Sequence, residues 1–502
     1  MEECNVVLVS LYRTQNFAIR TLHSVLNDVK GIKVFSIFFK ESWANVVTKP
    51  TVTEERLFVQ KIIDLNPAVV CISVLSSYVP IAKRLTTLIK ENSSALVCWG
   101  GVHPTICPES CIKVADIICI GEGEGALIDL MVRLRDGNEY FDIYNLWINH
   151  KGTIIKNPLR PLIQDLDSIP FPSYCSDSFF FIDDNRISRN DPAILDDRLQ
   201  VMGARGCPFA CPFCVNSVTK PLFKNLGNYT RIRSVRNIID EIKQQLTFSG
   251  NCKKTVVFNE EVFGWKKEWV DDFSLHYNKE VEMPFDICYN PKVVTPELFA
   301  KLVSSGLNEI NMGIQSGSDN IRNNLFKRQE KNSEIIKIDK FITDSGVRAA
   351  FDLIADNPYE TEETLKETIN FLFQLTKPLH FNYFRLQYFP TYPLTQKALI
   401  DGYIQTEDIT DECLFENATK RMMYDPKLFP FTTKNALQNI IWLIVWNHTK
   451  ESIVKYAISD NSLTAKICLI YLNFKAVFLG KIFGKGGIKR KIEYFKAKRR
   501  GR

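Results

Sequence analysis

The sequence predicts an α/β protein in three parts: a doubly wound parallel sheet (flavodoxin-like or Rossmann-like), a partial (β/α)6 barrel and a helical carboxyl-terminal region. Three observations support this prediction. The chain has 502 residues, enough for two or three domains. Short, continuously apolar runs alternate with amphipathic stretches, which is typical of parallel strands joined by crossover helices. After Pro393 this alternation ends and the pattern becomes helical.

The composition is that of a globular protein, with 45% hydrophobic and 24% charged residues, and it excludes disorder. The 14 cysteines are too dilute for a secreted disulfide scaffold, and no signal segment is evident at the start, so we expect a reducing cytoplasm. The net charge of +6 comes from residues 481–502, which hold ten Lys and Arg against Glu493. The rest of the chain is mildly acidic, so we do not expect it to bind nucleic acid.

The first 135 residues predict five strands, each followed by a helix or a loop. The strands are Asn5–Ser10, Lys33–Phe38, Val69–Val74, Leu96–Trp99 and Ile117–Ile120. The stretches between them include Thr53–Leu65, Ile81–Glu91 and Gly125–Arg135, which are long enough for crossover helices. This repetition is what predicts a doubly wound domain.

Two glycine-rich segments stand beyond the carboxyl ends of predicted strands, where doubly wound sheets bind their ligands. Gly100-Gly101-Val102-His103-Pro104-Thr105 follows the fourth strand, and Gly121-Glu122-Gly123-Glu124-Gly125 follows the fifth. Glycine lets the backbone approach a ligand closely. The second segment does not follow the first strand and does not fit G-x-G-x-x-G, which disfavours a dinucleotide. We expect the two segments to form a cofactor site.

A hairpin at Leu146–Ile155 and the proline-rich stretch Leu166–Pro172 predict a linker, because proline disfavours helix in the residue before it. Six strands then predict the barrel: Gln200–Ala204, Thr255–Asn259, Phe285–Tyr289, Glu309–Ile314, Arg348–Ile354 and Phe381–Phe389. Helical stretches separate them: Ser234–Gln245, Trp265–Tyr277, Pro296–Ser305, Ser333–Ser345 and Glu360–Leu375. The predicted parts are therefore residues 1–140, 141–195, 196–395 and 396–502.

Three cysteines follow the first predicted barrel strand directly. Cys207, Cys211 and Cys214 have CxxxCxxC spacing in a loop with a glycine and two prolines, so their thiols can converge on one centre. No fourth cysteine follows nearby, and three thiolates around an iron–sulfur cube leave one iron open to a small molecule. Two alternatives remain: a structural zinc site, which needs a fourth Cys or His ligand, and buried structural thiols.

This segment is similar to the radical S-adenosylmethionine (SAM) enzyme family, whose CxxxCx(aromatic)C motif it matches with Phe213 as the aromatic residue. The resemblance implies that Cys207, Cys211 and Cys214 hold a 4Fe–4S cluster. It implies that the open iron binds SAM, that Phe213 lies near the adenine, and that reduction cleaves SAM to a 5′-deoxyadenosyl radical.

Further segments resemble the subgroup of this family with an amino-terminal cobalamin-binding domain. The glycine-rich loops and the linker are similar to those of the subgroup, which implies a cobalamin site at Gly100, Gly101, His103 and 121–123. The alternative is a degenerate domain that binds nothing. No D-x-H-x-x-G motif for a cobalt-ligating histidine is present. His103 either contacts the corrin or braces the turn, and we expect His23 to be structural.

The barrel segment carries further family-like motifs with substitutions. Gly313-Ile314-Gln315-Ser316-Gly317-Ser318 resembles G-I-E-S-G-S, which implies that Gln315 and Ser316 contact SAM. In Phe258–Phe263, Glu260 and Glu261 replace the two Asp of F-x-D-D-x-F. The resemblance suggests that one of these carboxylates orients SAM or transfers a proton, and the alternative is a helix-capping or solvated pair.

The end of the predicted barrel departs from the family pattern. In Ile354–Thr361 and Pro390–Leu394 the glycines of I-x-G-x-P-G-E-T and P-G-T-P-L are lost, from which we expect altered backbone angles or bulkier walls. Tyr383 and Arg385 share one face of the last strand with Gln387. We expect them to line the reaction cavity as candidate catalytic residues, and the alternative is a polar outer face.

The carboxyl-terminal segment predicts helices with two apolar runs, Ile440–Trp446 and Ile467–Leu472, each too short to span a bilayer. Ala465–Gly480 is largely apolar and leads into the basic stretch from Lys481. Two interpretations stand side by side: a helix in a membrane interface, and a helix packed on the barrel with a solvated basic tail. RNA binding by the tail is compatible with either, although few aromatic residues are interleaved.

Together the motifs predict a cobalamin-dependent radical SAM enzyme. The resemblance implies methyl transfer from methylcobalamin to an unactivated carbon or to phosphorus of a small-molecule or lipid-like substrate. It also implies a one-electron reductant such as flavodoxin or ferredoxin. The alternatives are a cyclase or rearrangement enzyme on the same scaffold, which adds no carbon, and a non-catalytic cobalamin or redox sensor, which needs no SAM-binding iron.

Overall fold

A computed structural model describes most of the chain. The described residues are 3–42, 46–174, 177–189, 191–194, 196–249, 252–293, 295–377, 380–420, 423–427, 431–459 and 462–483.

The first sheet has nine strands among the described residues. Its centre is formed by β1 (Cys4–Leu11), β2 (Ile32–Phe39), β3 (Val69–Ser73), β4 (Leu96–Gly100) and β5 (Ile117–Cys119). These five strands are parallel and lie in the order 2-1-3-4-5. The predicted doubly wound sheet is therefore confirmed, and its order is that of a flavodoxin-like sheet with a switch point between β1 and β3.

Helices cover both faces of this sheet. They are α1 (Phe17–Asn27), α2 (Val52–Leu65), α3 (Val79–Asn92), α4 (Val102–Ile106), α5 (Pro108–Cys111) and α6 (Glu124–Arg135). The strands are apolar throughout because each face of the sheet packs into its own hydrophobic core. Local signals set the helix starts: Thr51 and Glu54 form a capping box at α2, and Asn16 caps α1.

The predicted linker contributes strands to both edges of the first sheet. The hairpin of β6 (Leu146–His150) and β7 (Thr153–Lys156) extends it antiparallel beside β5. On the other edge, β8 (Phe179–Asp183) pairs with β2 in parallel, and β9 (Arg186–Ser188) follows antiparallel. The predicted hairpin at Leu146–Ile155 is found as β6 and β7. The strands β8 and β9, within the stretch predicted as linker, were not expected, because an edge strand pairs with an extended segment that the local pattern does not identify.

The second sheet has six strands in sequential order. They are β10 (Arg198–Val201), β13 (Thr255–Phe258), β14 (Phe285–Tyr289), β15 (Leu307–Gln315), β16 (Arg348–Ala355) and β17 (Phe381–Arg385). A short ribbon pairs β11 (Ala204–Arg205) with β12 (Arg231–Ile232). The helices between the strands are α7 (Asn216–Leu222), α8 (Val235–Ser249), α9 (Lys267–Glu280), α10 (Pro296–Ser304), α11 (Asn332–Asp344) and α12 (Glu362–Gln374). This is the alternation predicted for the partial barrel.

Two predicted strands are shorter than expected. The last strand ends at Arg385 and not at Phe389, because its partner β16 ends at Ala355, which pairs with Arg385. The first ends at Val201, opposite Phe258, the last residue of β13. Strand length in a sheet is limited by the neighbour, which a local pattern does not contain.

The chain forms two compact units whose boundaries differ from the predicted division. The first comprises residues 1–263, 271–285 and 388–420, and the second comprises 264–270, 286–387 and 421–502. The segment 388–420, predicted to lie at the junction of the barrel and the carboxyl-terminal region, belongs to the first unit.

Contacts of this segment with residues beside the first sheet explain its placement in the first unit. The segment contains α13 (Pro393–Ile400) and α14 (Asp411–Thr419). Lys83 of α3 pairs with Asp411 at 2.7 Å, and the Val47 N–H donates to the Ala418 carbonyl.

Three helices follow in the second unit: α15 (Thr433–Val445), α16 (Glu451–Ser459) and α17 (Leu463–Phe483). Among the described residues, only α17 is long and apolar enough to cross a membrane by length and composition, which is weak evidence by itself. The apolar run Ile467–Leu472 was expected to be too short to span, but it is part of this 21-residue helix, because Lys475 does not interrupt the helix. The basic tail over 484–502 lies outside the described residues.

Candidate functional site

The three predicted cluster cysteines lie in the loop between β11 and α7, in the first unit. Gly206, just before Cys207, has φ +80°, and a side chain there would collide with the Tyr229 carbonyl oxygen. Cys207 is buried, whereas Cys211 and Cys214 are partly exposed. Backbone bonds hold the loop: the Cys214 N–H donates to the Cys211 carbonyl at 2.9 Å, and the Leu394 N–H donates to the Pro212 carbonyl at 3.0 Å.

The three thiols are close enough to affect one another electrostatically. Burial raises the pKa of Cys207 to about 11, and the negative charges of Glu261, Cys214 and Cys211 add to this shift. Burial and Glu261 also raise the pKa of Cys214, against the N–H donors of its neighbours. The Asn216 side-chain amide donates to the Cys214 sulfur at 3.4 Å. An amide that donates to sulfur stabilises a thiolate, which is the form that ligates metal.

No group of three His, Cys, Asp or Glu side chains among the described residues is arranged to hold a single metal ion. An iron–sulfur cube takes one thiolate per iron, so its ligands stand farther apart than those of one ion. The loop supplies three thiols, and the cysteine motif contains no fourth. Three thiols are the donor set for a cube with one iron left open.

A cavity of about 460 Å³ lies in the first unit, next to the cysteine loop. One side is formed by the carboxyl-end loops of β3, β4 and β5, including Ser73, Gly100 and Gly101. The other side is formed by residues flanking the cysteines, including Arg205 and Asn216. The prolines of the linker, Pro170 and Pro172, add to the wall. Both predicted glycine-rich loops therefore face the same space as the residues around the cysteine loop.

Glycine is required at two points of this wall. Gly101 has φ +96°, and a Cβ there would approach the backbone of Val74 to 3.2 Å. Gly121 has φ +82°, and a Cβ there would lie 2.6 Å from the Phe223 ring. Thr105 ties the two loops together, because its hydroxyl accepts from the Gly121 N–H at 3.0 Å and donates to the Gly101 carbonyl at 2.8 Å.

An ion-pair network joins the second glycine-rich loop to the cysteine loop. The Glu122 carboxylate accepts from Arg205 at 3.0 Å, from Arg231 at 2.8 Å and from the Ile163 N–H at 2.8 Å. Glu124 accepts from Arg205 at 2.6 Å. Burial would lower the pKa of Arg205, but Glu124 and Glu122 hold it above its usual range. The Glu122 carboxylate, predicted to bind the cofactor, is thus committed to protein partners, while the loop itself lines the cavity.

The two amino-terminal histidines are buried and hydrogen-bonded. His103 Nδ1 pairs with the Ser76 hydroxyl at 3.0 Å, and His103 is absent from the described residues that line the cavity. His23 Nδ1 pairs with the Ser36 hydroxyl at 2.9 Å, and its ring lies edge-on to Phe179. Burial lowers the pKa of each to about 4, so both are neutral at pH 7. This geometry favours the bracing role of the two predicted for His103, and the structural role expected for His23.

The two predicted carboxylates after β13 have different surroundings. Glu260 is buried: one oxygen accepts from the Gly203 N–H at 3.1 Å, and the other finds no hydrogen-bond donor among the described residues. Burial raises its pKa to about 7, against the lowering effect of the Gly203 N–H. Glu261 is exposed to the cavity, although dense protein around it raises its pKa. Only Glu261 can therefore meet a ligand in the cavity directly.

The predicted SAM-contacting segment of the second unit lies at the end of β15. Gln315 has φ +67°, in the left-handed region that favours glycine. Ser316 is buried and donates to Glu360 at 2.9 Å, and its hydroxyl accepts from the Ser318 N–H at 3.1 Å. Arg322 donates to the Ser316 carbonyl. The segment is a rigid turn whose side chain at 316 already has protein partners.

The ends of β16 and β17 carry a charged cluster in the second unit. Asp356 accepts from Arg385 at 2.9 Å and from Lys427 at 2.7 Å. Tyr383 is buried against the Tyr424 ring, with centroids 5.0 Å apart, and is not exposed to solvent. Arg385 is about one-third exposed. Of the two predicted catalytic groups on β17, only Arg385 is therefore accessible from solvent.

At two of the three positions where the family pattern has glycine, the backbone lies in the left-handed region. Asp356 has φ +55° and Thr391 has φ +69°. The expectation of altered backbone angles stays a prediction. The ion pairs of Asp356 and the surrounding chain hold a conformation that is unfavourable for non-glycine residues. The other expectation, bulkier walls, stands.

Two family comparisons match the two predicted domains separately. Residues 4–131 match the B12 binding domain family, and residues 201–372 match the Radical SAM superfamily. The chain is a radical SAM protein with an amino-terminal B12-binding domain.

Curated relatives of this radical SAM protein resemble it over about two thirds of its length. An uncharacterized methyltransferase of Pyrococcus horikoshii is 27% identical over 336 residues, 66% of this chain and 68% of that protein. An anaerobic magnesium-protoporphyrin IX monomethyl ester cyclase of Rubrivivax gelatinosus is 24% identical over 351 residues, 66% of this chain and 58% of that protein.

Solved structures share the fold of nearly the whole radical SAM protein. The methyltransferase TsrM of Kitasatospora setae matches with a TM-score of 0.64 and 13% identity, covering 90% of each chain. The cobalamin-dependent SAM radical enzyme OxsB matches with a TM-score of 0.65 and 17% identity, covering 96% of this chain and 73% of that one. These likenesses confirm the predicted architecture.

The matched Radical SAM and B12 binding domains imply a 4Fe–4S cluster, SAM and cobalamin as cofactors. The residues fit them: the cysteine loop offers three thiols and a sulfur-directed amide, and the glycine loops form a cradle that side chains would fill. Sequence reasoning missed Arg205, Arg231 and Asn216. The local signal was that Arg205 and Asn216 flank the cysteine motif. Asn216 contacts Cys214, two residues away, whereas Arg205 and Arg231 pair with Glu122, which is far away in the sequence.

Proposed function

We propose that the protein is a cobalamin-dependent radical SAM methyltransferase that acts on an unactivated carbon or on phosphorus. The observation that carries the proposal is the cavity of the first unit, lined by both glycine-rich loops and by Arg205, Gly206 and Asn216 beside the cysteine loop. Methyl transfer between these cofactors requires both to open on one space. The names of two relatives, a methyltransferase and TsrM, support methyl transfer over other radical chemistry.

The residues of the first unit have distinct parts in this proposal. Cys207, Cys211 and Cys214 hold the cluster, which supplies the electron that cleaves SAM when it is bound. Phe213 packs near the adenine. Glu261, the cavity-facing carboxylate, orients the positively charged end of SAM or accepts a proton. Glu260 has a positioning role next to Glu261, because its buried carboxylate accepts a hydrogen bond from the Gly203 N–H.

The cobalamin cradle consists of the loops 100–105 and 121–125. Gly100, Gly101, Gly121 and Gly123 let the backbone approach the corrin, and Glu122 holds its loop through Arg205. His103 braces the first loop from beneath through Ser76. Each of these residues positions the cofactor, which is the protein's main contribution when a cofactor carries the chemistry.

The roles proposed for residues of the second unit rest on the family resemblance. By that resemblance, Gln315 and Ser316 contact SAM. Arg385 presents a partly exposed guanidinium, which suits an anionic group on the substrate. Tyr383 shapes the wall behind Arg385, because its ring is buried against Tyr424.

Anaerobic turnover with SAM, a one-electron reductant and supplied cobalamin tests this function. We expect 5′-deoxyadenosine and a product heavier than the substrate by one methylene. The triple variant Cys207→Ala, Cys211→Ala, Cys214→Ala should lose the cluster iron and the nucleoside. Cys252→Ala, which removes an exposed cysteine, is the matched control and should retain both. Nucleoside release without added methyl would contradict methyl transfer, and unchanged iron in the triple variant would contradict the cluster assignment.

A cyclase or rearrangement enzyme is the second candidate, because two relatives are named cyclases. The same assay separates the two, since only methylation adds a carbon. The proposed substrate is a small or lipid-like molecule, and the proposed electron donor is flavodoxin or ferredoxin. A cytoplasmic location is proposed because the described cysteines are all free thiols, which a reducing compartment preserves.

A further inference from the structure

Helix α17 exposes a continuous stripe of large apolar side chains. The stripe consists of Leu463, Ile467, Ile470, Tyr471, Phe474 and Phe478, whose exposed fractions range from 40% to 75%. The spacings of three and four residues place all six on one face of the helix. The helix has 21 residues and is therefore about 30 Å long, and the stripe extends along most of this length.

The opposite face of α17 is buried in the second unit and fixes the rotation of the helix. Ala465, Leu472 and Ala476 are almost fully buried there. The buried Asn473 accepts a hydrogen bond from Asn439 of α15. Because this face is already packed against the second unit, the helix cannot rotate to bury its exposed stripe in the core.

Helix α16 widens the apolar surface. Ile453 is 39% exposed and Tyr456 is 47% exposed, and the Tyr456 hydroxyl donates to Thr464 of α17 at 2.6 Å. Residues 453–478 thus hold eight of the eighteen exposed large hydrophobic side chains found among the described residues. Such a concentration marks an interaction surface, whereas single exposed apolar side chains are normal.

The charges next to this surface are mostly positive, and the acidic Glu451 at the start of α16 is paired with Lys455. Within α17, Lys466 and Lys481 are exposed and no acidic residue occurs. The sequence that follows, residues 484–502, adds nine Lys and Arg against Glu493. An apolar helix face flanked by cations is complementary to a surface that is apolar inside and anionic at its boundary.

We propose that the exposed faces of α16 and α17 dock on an anionic lipid bilayer, with α17 lying in the plane of the interface. A spanning orientation would place the buried Asn439–Asn473 pair in lipid and unpack α15. A second copy of the chain is a poorer partner, because a symmetric contact would bring two lysine-rich segments together. The proposal does not depend on the catalytic activity.

Flotation of the full chain with vesicles tests the docking. We expect binding to vesicles of phosphatidylcholine with phosphatidylglycerol, weaker binding to phosphatidylcholine alone, and a decrease with salt. The variant Ile467→Ser, Tyr471→Ser, Phe474→Ser should bind the anionic vesicles roughly a hundredfold less. Its matched control carries serine at the exposed Phe248, Leu275 and Ile400 and should bind like the wild type.

Several outcomes would overturn the proposal. Wild-type protein that fails to float with anionic vesicles, or a stripe variant that floats equally well, would do so. Light scattering that shows a dimer lost in the stripe variant would assign the surface to a second copy. Deleting residues 484–502 should weaken binding and its preference for anionic lipid, and stronger binding would show that the tail covers the face. Circular dichroism of each variant checks folding, and SAM cleavage, measured separately, reports only on the proposed function.

Discussion

Glu260 is a buried carboxylate beside the proposed reaction cavity. Its side chain is fully enclosed, with one oxygen bonded to the Gly203 N–H and the other lacking a donor among the described residues. Burial raises its pKa to about 7, well above the usual 4.5. The folded protein therefore holds a proton that the unfolded chain releases at lower pH, and its stability is linked to this proton.

We predict that this linkage destabilises the wild type as pH rises from about 4.5 to 7. Below 4.5 both states are protonated, and above 7 both are charged, so the change is confined to that window. Glu260→Gln should remove it and be more stable than wild type at pH 8 by about 3 kcal/mol. Urea unfolding at a series of pH values measures the difference.

Glu268→Gln, which alters an exposed carboxylate, serves as the control for Glu260→Gln. Parallel stability curves of wild type and Glu260→Gln over the whole pH range would contradict the linkage.

At the scale of elements, the loop after β5 depends on a glycine that faces an aromatic ring. We predict that Gly121→Ala weakens cobalamin binding by at least about tenfold, because the new methyl would lie 2.6 Å from the Phe223 ring in the cavity wall. Gly137 also has a positive φ, but a methyl group there would meet open space. The variant Gly137→Ala therefore tests the effect of backbone strain without a collision. Titration of each variant with cobalamin, followed by absorbance, gives the affinities. Equal weakening in both would mean that the collision is irrelevant.

The ion pairs of Glu122 hold the same loop to the cysteine loop. We predict that Glu122→Gln destabilises the protein by about 1–3 kcal/mol, because the nearly buried Arg231 loses its carboxylate. Asp142→Asn removes a more exposed pair with Arg133 and should cost less than about 0.5 kcal/mol. Chemical denaturation compares the two. A loss for Glu122→Gln no larger than that for Asp142→Asn would show that the network contributes little.

For the whole molecule, cofactor binding is coupled to folding. We predict that cobalamin at about a hundred times its Kd stabilises the protein by about 2.7 kcal/mol, because it binds the folded cavity and not the unfolded chain. Thermal unfolding with and without cobalamin measures this, and Gly121→Ala should respond less at the same concentration. A melting temperature that is unchanged at saturating cobalamin would contradict a preformed site.

Much of the architecture was predictable from local patterns. Apolar runs as short as Ile117–Cys119 were sufficient to predict the strands of the first sheet, because each is buried on both faces. The strand Phe179–Asp183 was missed, because it lies within a stretch read as linker and becomes a strand only by pairing with β2. Edge pairing depends on distant partners.

In the candidate site, too, features set by a local pattern were predictable and features set by distant partners were not. Cys207, Cys211 and Cys214 were recognisable because ligand spacing is local. The partners of Glu122 were not, because Arg205 and Arg231 lie more than eighty residues away. The orientation of His103, left open between the corrin and the turn, depended on Ser76, a residue of a different loop.

By itself, the sequence determined which chemistry the chain can hold: three thiols in one loop, glycines where backbone must approach a ligand, and strands at the apolar runs. The tertiary structure decided which of these groups remain available. It paired Glu122 and Asp356 with arginines, buried Tyr383, and turned one face of α17 outward. The reason is physical: covalent spacing and hydrophobic period are properties of a short segment, whereas burial and ion pairing require residues brought together from distant parts of the chain.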